Sequence, residues 1–260
     1  MESNLARNRA ELSGKATDVL DSRTLASSHK RLAELLTEDI SVLDVGCGTG
    51  AITRGIAEIV GPEGRVLGID SNPALIEQAR KSFGNIRGLE FEVGDIFSLP
   101  YQDEFDIVTT ARVLQWLSNP LEAITVLEFS TKPGGRVLVL DYNHEKITWE
   151  PEPPSSMKSF YSAFLKWRSD AGMDNGIADH LSNLFEKVGI NEVIITPQHE
   201  IVKRMVNDFE SRIGIWANVA ASRGIQMVKD GFIAESERSI AEKEYREWTK
   251  EIAIHKQCIY

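Results

Sequence analysis

From about Ile40 onward, short runs rich in Val, Ile and Leu alternate with longer stretches whose apolar residues recur at helical spacing. That alternation is the pattern of βαβ units around a parallel sheet. It predicts strands at SVLDVG (41–46), RVLGID (65–70), LEFEVG (89–94), FDIVTTA (105–111) and GRVLVLDY (135–142). Helices are expected at ITRGIAEIV (52–60), PALIEQARKSF (73–83) and PLEAITVLEFSTK (120–132), the first two following a Gly-rich turn or a Ser-Asn cap.

Beyond Tyr142 the pattern changes. The stretch NHEKITWEPEPPSS is polar and proline-rich, and Met157 to Trp167 then places Phe160, Tyr161, Phe164 and Trp167 at helical spacing. A helix over Ala178–Val188 is followed by an expected sixth strand, NEVIITPQHEIVKR (191–204), and by helices over Val206–Ala221 and Ser236–Ile254. HKQCIY (255–260) reads as a strand that stops short, which leaves a seventh strand open. Residues 1–37 read as helical and polar, packed over one end of the sheet.

Composition narrows the class without changing this picture. A chain of 260 residues can bury a large core, and 42% hydrophobic with 26% charged residues is ordinary for a globular protein. No apolar run approaches the roughly 18 residues of a membrane span. The start lacks the apolar core of a secretory signal and only Cys47 and Cys258 are present, so a reduced cytoplasmic setting is expected and a CxxC zinc site is excluded. No metal is expected. A net charge of −10 argues against affinity gained by neutralising phosphates, and hence against a nucleic-acid partner.

The chemistry begins at VLDVGCGTG (42–50). A strand, a tight glycine turn and a helix let a ligand approach bare backbone and a helix N-terminus. GCGTGA fits the loose dinucleotide fingerprint, with Asp70 about 20 residues on. Asp44 decides between readings. A pyrophosphate at the mouth of this turn would be repelled by about 1–4 kcal/mol at ~4 Å, whereas S-adenosylmethionine, with an ammonium, a sulfonium and no phosphate, is attracted. The plainer alternative for Asp44 is a strand-end carboxylate or a helix cap. Cys47 needs no nucleophilic or redox role, because a small side chain between glycines is reason enough for it.

VLDVGCGTG (42–50), VLGIDSNPALIEQAR (66–80), FEVGDIFSLPYQDEFDIVTTARVLQWLSNP (91–120) and KPGGRVLVLDY (132–142) together resemble the class I S-adenosylmethionine-dependent methyltransferases, in order and spacing. The likeness is to the small-molecule branch that includes the menaquinone and ubiquinone methylases. It implies a single α/β domain with a Rossmann-like seven-stranded sheet. Residues 1–37 would be a helical lid, 38–142 the cofactor-binding core, and 143–188 and 203–254 helical insertions covering the acceptor.

The resemblance further implies that Gly46, Cys47 and Gly48 line the methionine end of S-adenosylmethionine, with Asp44 near its ammonium. Asp70 would take the ribose hydroxyls, Ser71 and Asn72 would flank the adenine, Asp95 would meet the adenine amino group and Ile96 would touch the ring. Asp95 has an alternative as the cap of a short turn. Arg112 stands where such enzymes face the methionine carboxylate and the acceptor, and either pairs that carboxylate or makes a structural salt bridge.

Methyl transfer needs alignment and exclusion of water more than a catalytic triad. A base is required only if the acceptor loses a proton, and the candidates are His144, Tyr142 and His29. TTARVLQW replaces the Asn/Asp-Pro-Pro-aromatic stretch that the family's nucleic-acid branch uses after the fourth strand. The expected reaction is therefore methylation of a small, apolar or aromatic molecule, leaving S-adenosylhomocysteine. The aromatic helix is open to two readings, a wall of the acceptor pocket or an ordinary core face, and the chain is expected to be a monomer or a homodimer. Two rival functions are a nicotinamide-dependent oxidoreductase and a non-catalytic S-adenosylmethionine-binding module.

Overall fold

A computed structural model of the chain describes residues 4–10, 23–202, 209–251 and 256–259. The five N-terminal strands form as expected: β1 (Ser41–Val45), β2 (Arg65–Asp70), β3 (Leu89–Val93), β4 (Phe105–Ala111) and β5 (Thr131–Leu140). They pair in parallel in the order β3-β2-β1-β4-β5. Because alternate side chains leave opposite faces of a strand, the strands feed two cores.

Val42, Val66, Phe91 and Ile107 pack beneath α2 (Leu25–Ser28), α3 (Lys30–Leu35), α4 (Ala51–Val60) and α5 (Pro73–Phe83). Leu43, Leu67, Ile69 and Val108 face α6 (Pro120–Phe129) and α8 (Ile177–Lys187). Two crossover helices start on the same device, an Asn cap followed by proline at the first helical position. Asn72 Oδ1 accepts from Ala74 N–H at 3.0 Å, and Asn119 Oδ1 accepts from Glu122 N–H at 3.3 Å.

Three expectations change. The expected α6 ended at Lys132, but the helix stops at Phe129 and Thr131 already opens β5. The expected sixth strand does not form over 191–199, where Ile194 and Ile195 stand 79% and 73% exposed with no strand partner to bury them. Only β7 (Glu200–Val202) pairs, and Lys203 and Arg204 lie outside the described residues.

Among the described residues, then, the parallel sheet has five strands rather than seven. Residues 256–259 of the expected terminal strand do become a strand, β8 (Lys256–Ile259). It joins a separate antiparallel sheet between β6 (Thr148–Glu150) and β7.

The remaining helices build a third core over one end of the parallel sheet. From α7 (Ser155–Asp170) come Met157, Phe160, Tyr161, Phe164 and Trp167, which pack with Trp216 and Ala220 of α10 (Ile215–Ala221) and with Met227 of α11 (Arg223–Lys229). Tyr245 and Trp248 of α12 (Glu235–Glu251) complete it. A short helix α9 (Phe209–Ile213) precedes α10, and α1 (Asn4–Ala10) lies against this assembly through Arg9, which bonds Asp230 and the Trp167 carbonyl. The expected helices over 206–221 and 236–254 are thus present as α9, α10 and α12, with residues 206–208 and 252–254 outside the described set. Of the expected N-terminal helical segment, residues 1–3 and 11–22 are likewise outside it.

Candidate active site

The carboxyl ends of β1, β2 and β3 each deliver an acidic residue to the same edge of the sheet. Asp44 lies between Gly68 of β2 and Thr109 of β4 in register. It is 4% exposed and accepts a 2.7 Å bond from Thr53 Oγ of α4. Burial pushes its pKa up to about 6, against the pull of that hydroxyl, and nearby Asp70 adds to the rise.

The glycine turn follows directly. Gly46, Gly48 and Gly50 have φ of 79°, 57° and 79°, in the left-handed region that only glycine enters freely. Gly46 and Cys47 N–H both donate to the Ile69 carbonyl, at 2.7 and 3.0 Å, which ties the turn to β2. A Cβ on Gly46 would run into the Val113 side chain, and one on Gly50 would sit 2.7 Å from the Phe91 ring. Cys47 is half-buried, and burial with the carboxylates of Asp44 and Asp70 raises its thiol pKa, so it is inert at neutral pH.

Asp70 accepts from Gly48 N–H and from Asn72 N–H, each at 2.9 Å. Each carboxylate oxygen accepts more than one hydrogen, so capacity remains on both. Ser71 is exposed, and Asn72 Oδ1 caps α5. Asp95 Oδ1 accepts from Phe97 N–H at 3.0 Å, the short-turn cap, while Oδ2 meets Arg7 of α1 at 2.6 Å. Ile96 beside it is buried.

The ends of β4 and β5 carry a second, cationic set. Arg112 follows β4 with φ of 63°, in the left-handed region that non-glycine residues seldom enter. Its side chain is 4% exposed, and of the two readings open from sequence the one seen is a salt bridge, to Glu200 of β7, with further bonds to Tyr142 Oη and the Ser28 carbonyl. Tyr142 Oη donates to Glu200 at 2.9 Å. Burial works against the Glu200 charge, yet Arg112 and Tyr142 hold its pKa below the ordinary value. Arg112 Nη1 remains without a partner.

The three candidate bases are not equivalent. His29, at the junction of α2 and α3, is buried and lies 3.2 Å from Thr109 Oγ. Burial and then Arg112 depress its pKa to about 4. Tyr142 is locked between Arg112 and Glu200. His144 is neither on the surface nor idle. It is 6% exposed, its Nε2 lies 2.6 Å from Gln115 Oε1, and its carbonyl accepts from Tyr161 Oη at 2.6 Å. Gln115 Nε2 donates to the Arg112 carbonyl at 3.3 Å, which turns its oxygen toward the imidazole. That assigns the imidazole proton to Nε2 and the lone pair to Nδ1, which has no partner. Burial, with Arg168, lowers the His144 pKa well below its ordinary value.

Around His144 stand the rings of Tyr142, Phe164 and Trp216, at centroid distances of 5.8, 6.0 and 6.2 Å. Trp149 and Tyr161 close on Trp216 at 6.3 and 4.6 Å. Arg168 supports the whole from behind. Its guanidinium stacks over Trp116 at 4.7 Å and bonds the Gln115 carbonyl and Asn175 Oδ1, each at 2.7 Å. Sequence reasoning singled out His144 but missed Gln115, Arg168, Glu200 and Trp216, which lie 29, 24, 56 and 72 residues away in the chain. No local motif links them.

The site fits S-adenosylmethionine on its own terms. Among the described residues, Asp44 is a buried carboxylate without a cation, the glycine turn leaves backbone that side chains would obstruct, and Thr49 Oγ is buried at the turn without a partner. Among the described residues no helix is long and apolar enough to cross a membrane.

Comparison with known proteins agrees with this geometry. Residues 36–210 match the family model described as a methyltransferase domain. A Schizosaccharomyces pombe methyltransferase is 40% identical over 105 residues, covering 37% of each chain. A Lactococcus lactis demethylmenaquinone methyltransferase is 29% identical over 203 residues, covering 73% of this chain and 78% of the relative. The chain spans about a third of the length of the curated relatives that share 39% and 40% identity with it. Among solved structures, a SAM-dependent methyltransferase from Aquifex aeolicus superposes with a TM-score of 0.53 at 21% identity, covering 74% of this chain and 93% of the other, and shares its fold. The comparisons give no support to a nicotinamide-dependent oxidoreductase.

Proposed function

The chain belongs to the methyltransferase-domain family, and we propose that it transfers the methyl group of S-adenosylmethionine to a small, apolar or aromatic acceptor. The observation that carries this reading is the row of carboxylates Asp44, Asp70 and Asp95 beside a left-handed glycine turn, at the edge where α/β sheets bind ligands. Asp44 would pair the ammonium, and the backbone of Gly46, Cys47 and Gly48 would line the methionine end. Asp70 would take the ribose hydroxyls. Asp95 and Ile96 would hold the adenine, with Ser71 and Asn72 at its margin.

Bound there, S-adenosylmethionine supplies an activated methyl group. The chain's own residues then have three tasks. Asp44 and Asp70 fix the position of the donor, and alignment of this kind is worth several orders of magnitude in rate. The core formed by α7, α10, α11 and α12 would keep water from the reacting edge, as covers of the acceptor drawn from segments 143–188 and 203–254. His144 Nδ1, neutral and with a free lone pair, is the base for an acceptor that must lose a proton. Arg112 is held by Glu200, so its part is to fix β7 against the site unless the methionine carboxylate displaces Glu200.

Calorimetric titration with S-adenosylmethionine and with NAD tests the cofactor. Binding of the first and not the second is expected, and the reverse overturns the reading. A panel of small acceptors with mass detection of the methylated product tests transfer. Cofactor binding with no turnover of any acceptor would instead favour a binding module.

A further inference from the structure

Helix α4 buries four side chains, Thr53, Ile56, Ala57 and Val60, and Thr53 alone among them is polar. It is 0% exposed and lies in the first turn of the helix. A threonine inside a helix commonly bonds a carbonyl one turn back. Thr53 Oγ1 instead donates across 2.7 Å to Asp44 Oδ2, nine residues earlier near the carboxyl end of β1. Valine has nearly the same shape and buries no hydroxyl, so the packing of α4 gives no reason for a threonine at this position.

The reason lies in Asp44. Its register neighbours, Gly68 of β2 and Thr109 of β4, bring no charge. The His29 ring beside Thr109 is kept neutral by burial and by Arg112. Among the described residues, the ionisable groups that act on it are both acids, Asp70 from β2 and the Cys47 thiol from the glycine turn. Burial first, and then the Asp70 charge, push the Asp44 pKa up to about 6, and the Thr53 hydroxyl restrains the rise. The hydroxyl engages one oxygen only. Oδ1 carries no hydrogen bond among the described residues and keeps its full capacity to accept.

We propose that Thr53 is a positioning residue of the methyl-donor site, whose hydroxyl holds Asp44 as the charged partner of the ammonium of S-adenosylmethionine. The inference deepens the reading of Asp44 given above and rests on it. A hydrogen bond to a carboxylate favours the ionised form by about tenfold or more. With the hydroxyl in place Asp44 loses its proton near pH 6 and is mostly charged at pH 7. Without it the same step moves to about pH 7 or above. The ammonium then meets a neutral carboxyl in much of the protein, a dipole in place of a charge.

The test is titration calorimetry of the full chain with S-adenosylmethionine at pH 6, 7 and 8, for wild type, Thr53→Val and Thr53→Ser. The control ligand is 5′-methylthioadenosine, which keeps the adenosine and the sulfur and lacks the ammonium. Each affinity is read as a ratio to wild type at the same pH, so that titration of the ligand's own amine cancels. Thr53→Val should bind S-adenosylmethionine about fivefold more weakly at pH 6 and within about twofold of wild type at pH 8. Its affinity for the control should match wild type throughout. Thr53→Ser keeps the hydroxyl and should follow the wild-type curve. If Thr53→Val does not fold, Thr53→Cys offers a weaker donor of similar size, and the same trend is expected with a smaller loss at each pH.

Wild-type behaviour of Thr53→Val at all three pH values, a loss of the same size at each pH, or an equal loss for both ligands would overturn the proposal. A wild-type affinity for S-adenosylmethionine that is the same at pH 5 and pH 7 would overturn the assignment of Asp44 to the ammonium, and the proposal with it.

Discussion

Gly48 N–H donates to the Asp70 carboxylate across 2.9 Å, joining the glycine turn after β1 to the end of β2. One residue thereby shapes the turn and presents a charge beside it. Replacing Asp70 with Ala should weaken S-adenosylmethionine binding by about 1–3 kcal/mol, the scale for losing a charged hydrogen-bond partner. Calorimetry on the purified variant checks this, and an unchanged affinity would remove Asp70 from the site.

Asp44 should make cofactor binding depend on pH. Its pKa in the folded protein is about 6, above the ordinary 3.8, because of burial. A raised carboxylate pKa means the folded state holds the proton more tightly than the unfolded one. This group's contribution to stability is therefore greatest below pH 4 and is lost as pH rises through 6. A bound ammonium reverses the preference, since it needs the ionised form. Affinity for S-adenosylmethionine should fall about tenfold between pH 7 and pH 5. Asp44→Asn should bind weakly at both values and flatten that dependence.

Arg7 pairs with Oδ2 of Asp95, the residue that the methyltransferase reading assigns to the adenine amino group. The Arg7 side chain is exposed and that of Asp95 half-buried at the surface, so the ion pair is worth little, within about 1 kcal/mol. Arg7→Ala should accordingly tighten S-adenosylmethionine binding by no more than about fivefold. Weaker binding would show instead that Arg7 contributes to the cofactor's cradle.

Gly50 leaves no room for a side chain in the turn. With φ of 79° and the Phe91 ring 2.7 Å from where a Cβ would stand, Gly50→Ala combines left-handed strain with overlap. A loss of about 2–4 kcal/mol is expected in urea denaturation. A loss below about 0.5 kcal/mol would mean that the turn relaxes freely.

Glu200 neutralises the buried Arg112, so Glu200→Gln should destabilise the fold by about 2 kcal/mol or more by leaving a buried charge unpaired. Its loosening effect should also appear as faster amide exchange over 200–202. Wild-type stability in this variant would show that the cluster is balanced by other groups.

Much of this protein was legible in its sequence where physics is local. The five parallel strands, their crossover helices and the glycine turn follow from periodicity, caps and residues that tolerate positive φ, and all form near their expected bounds. Asp44, Asp70 and Asp95 were readable because strand ends fix where such residues emerge. The segment 191–199 was misread because NEVIITPQHE has the composition of a strand. Composition does not supply a neighbour, and among the described residues these positions have none in the sheet. Asn72 was read both as a helix cap and as a neighbour of the adenine, and the cap is local enough to be seen directly, with Oδ1 accepting from Ala74 N–H.

The sequence by itself determined the layered α/β core and the row of acidic residues at its edge, because each depends on contacts set by fixed chain periods. Only the tertiary structure decided the surroundings of His144 and Arg112. His144 looked like a loop residue until Gln115, Arg168 and Trp216 closed around it. Arg112 had two readings until Glu200 met it. Both outcomes depend on desolvation and on partners tens of residues away, and burial in a shared core is a property that no stretch of sequence carries alone.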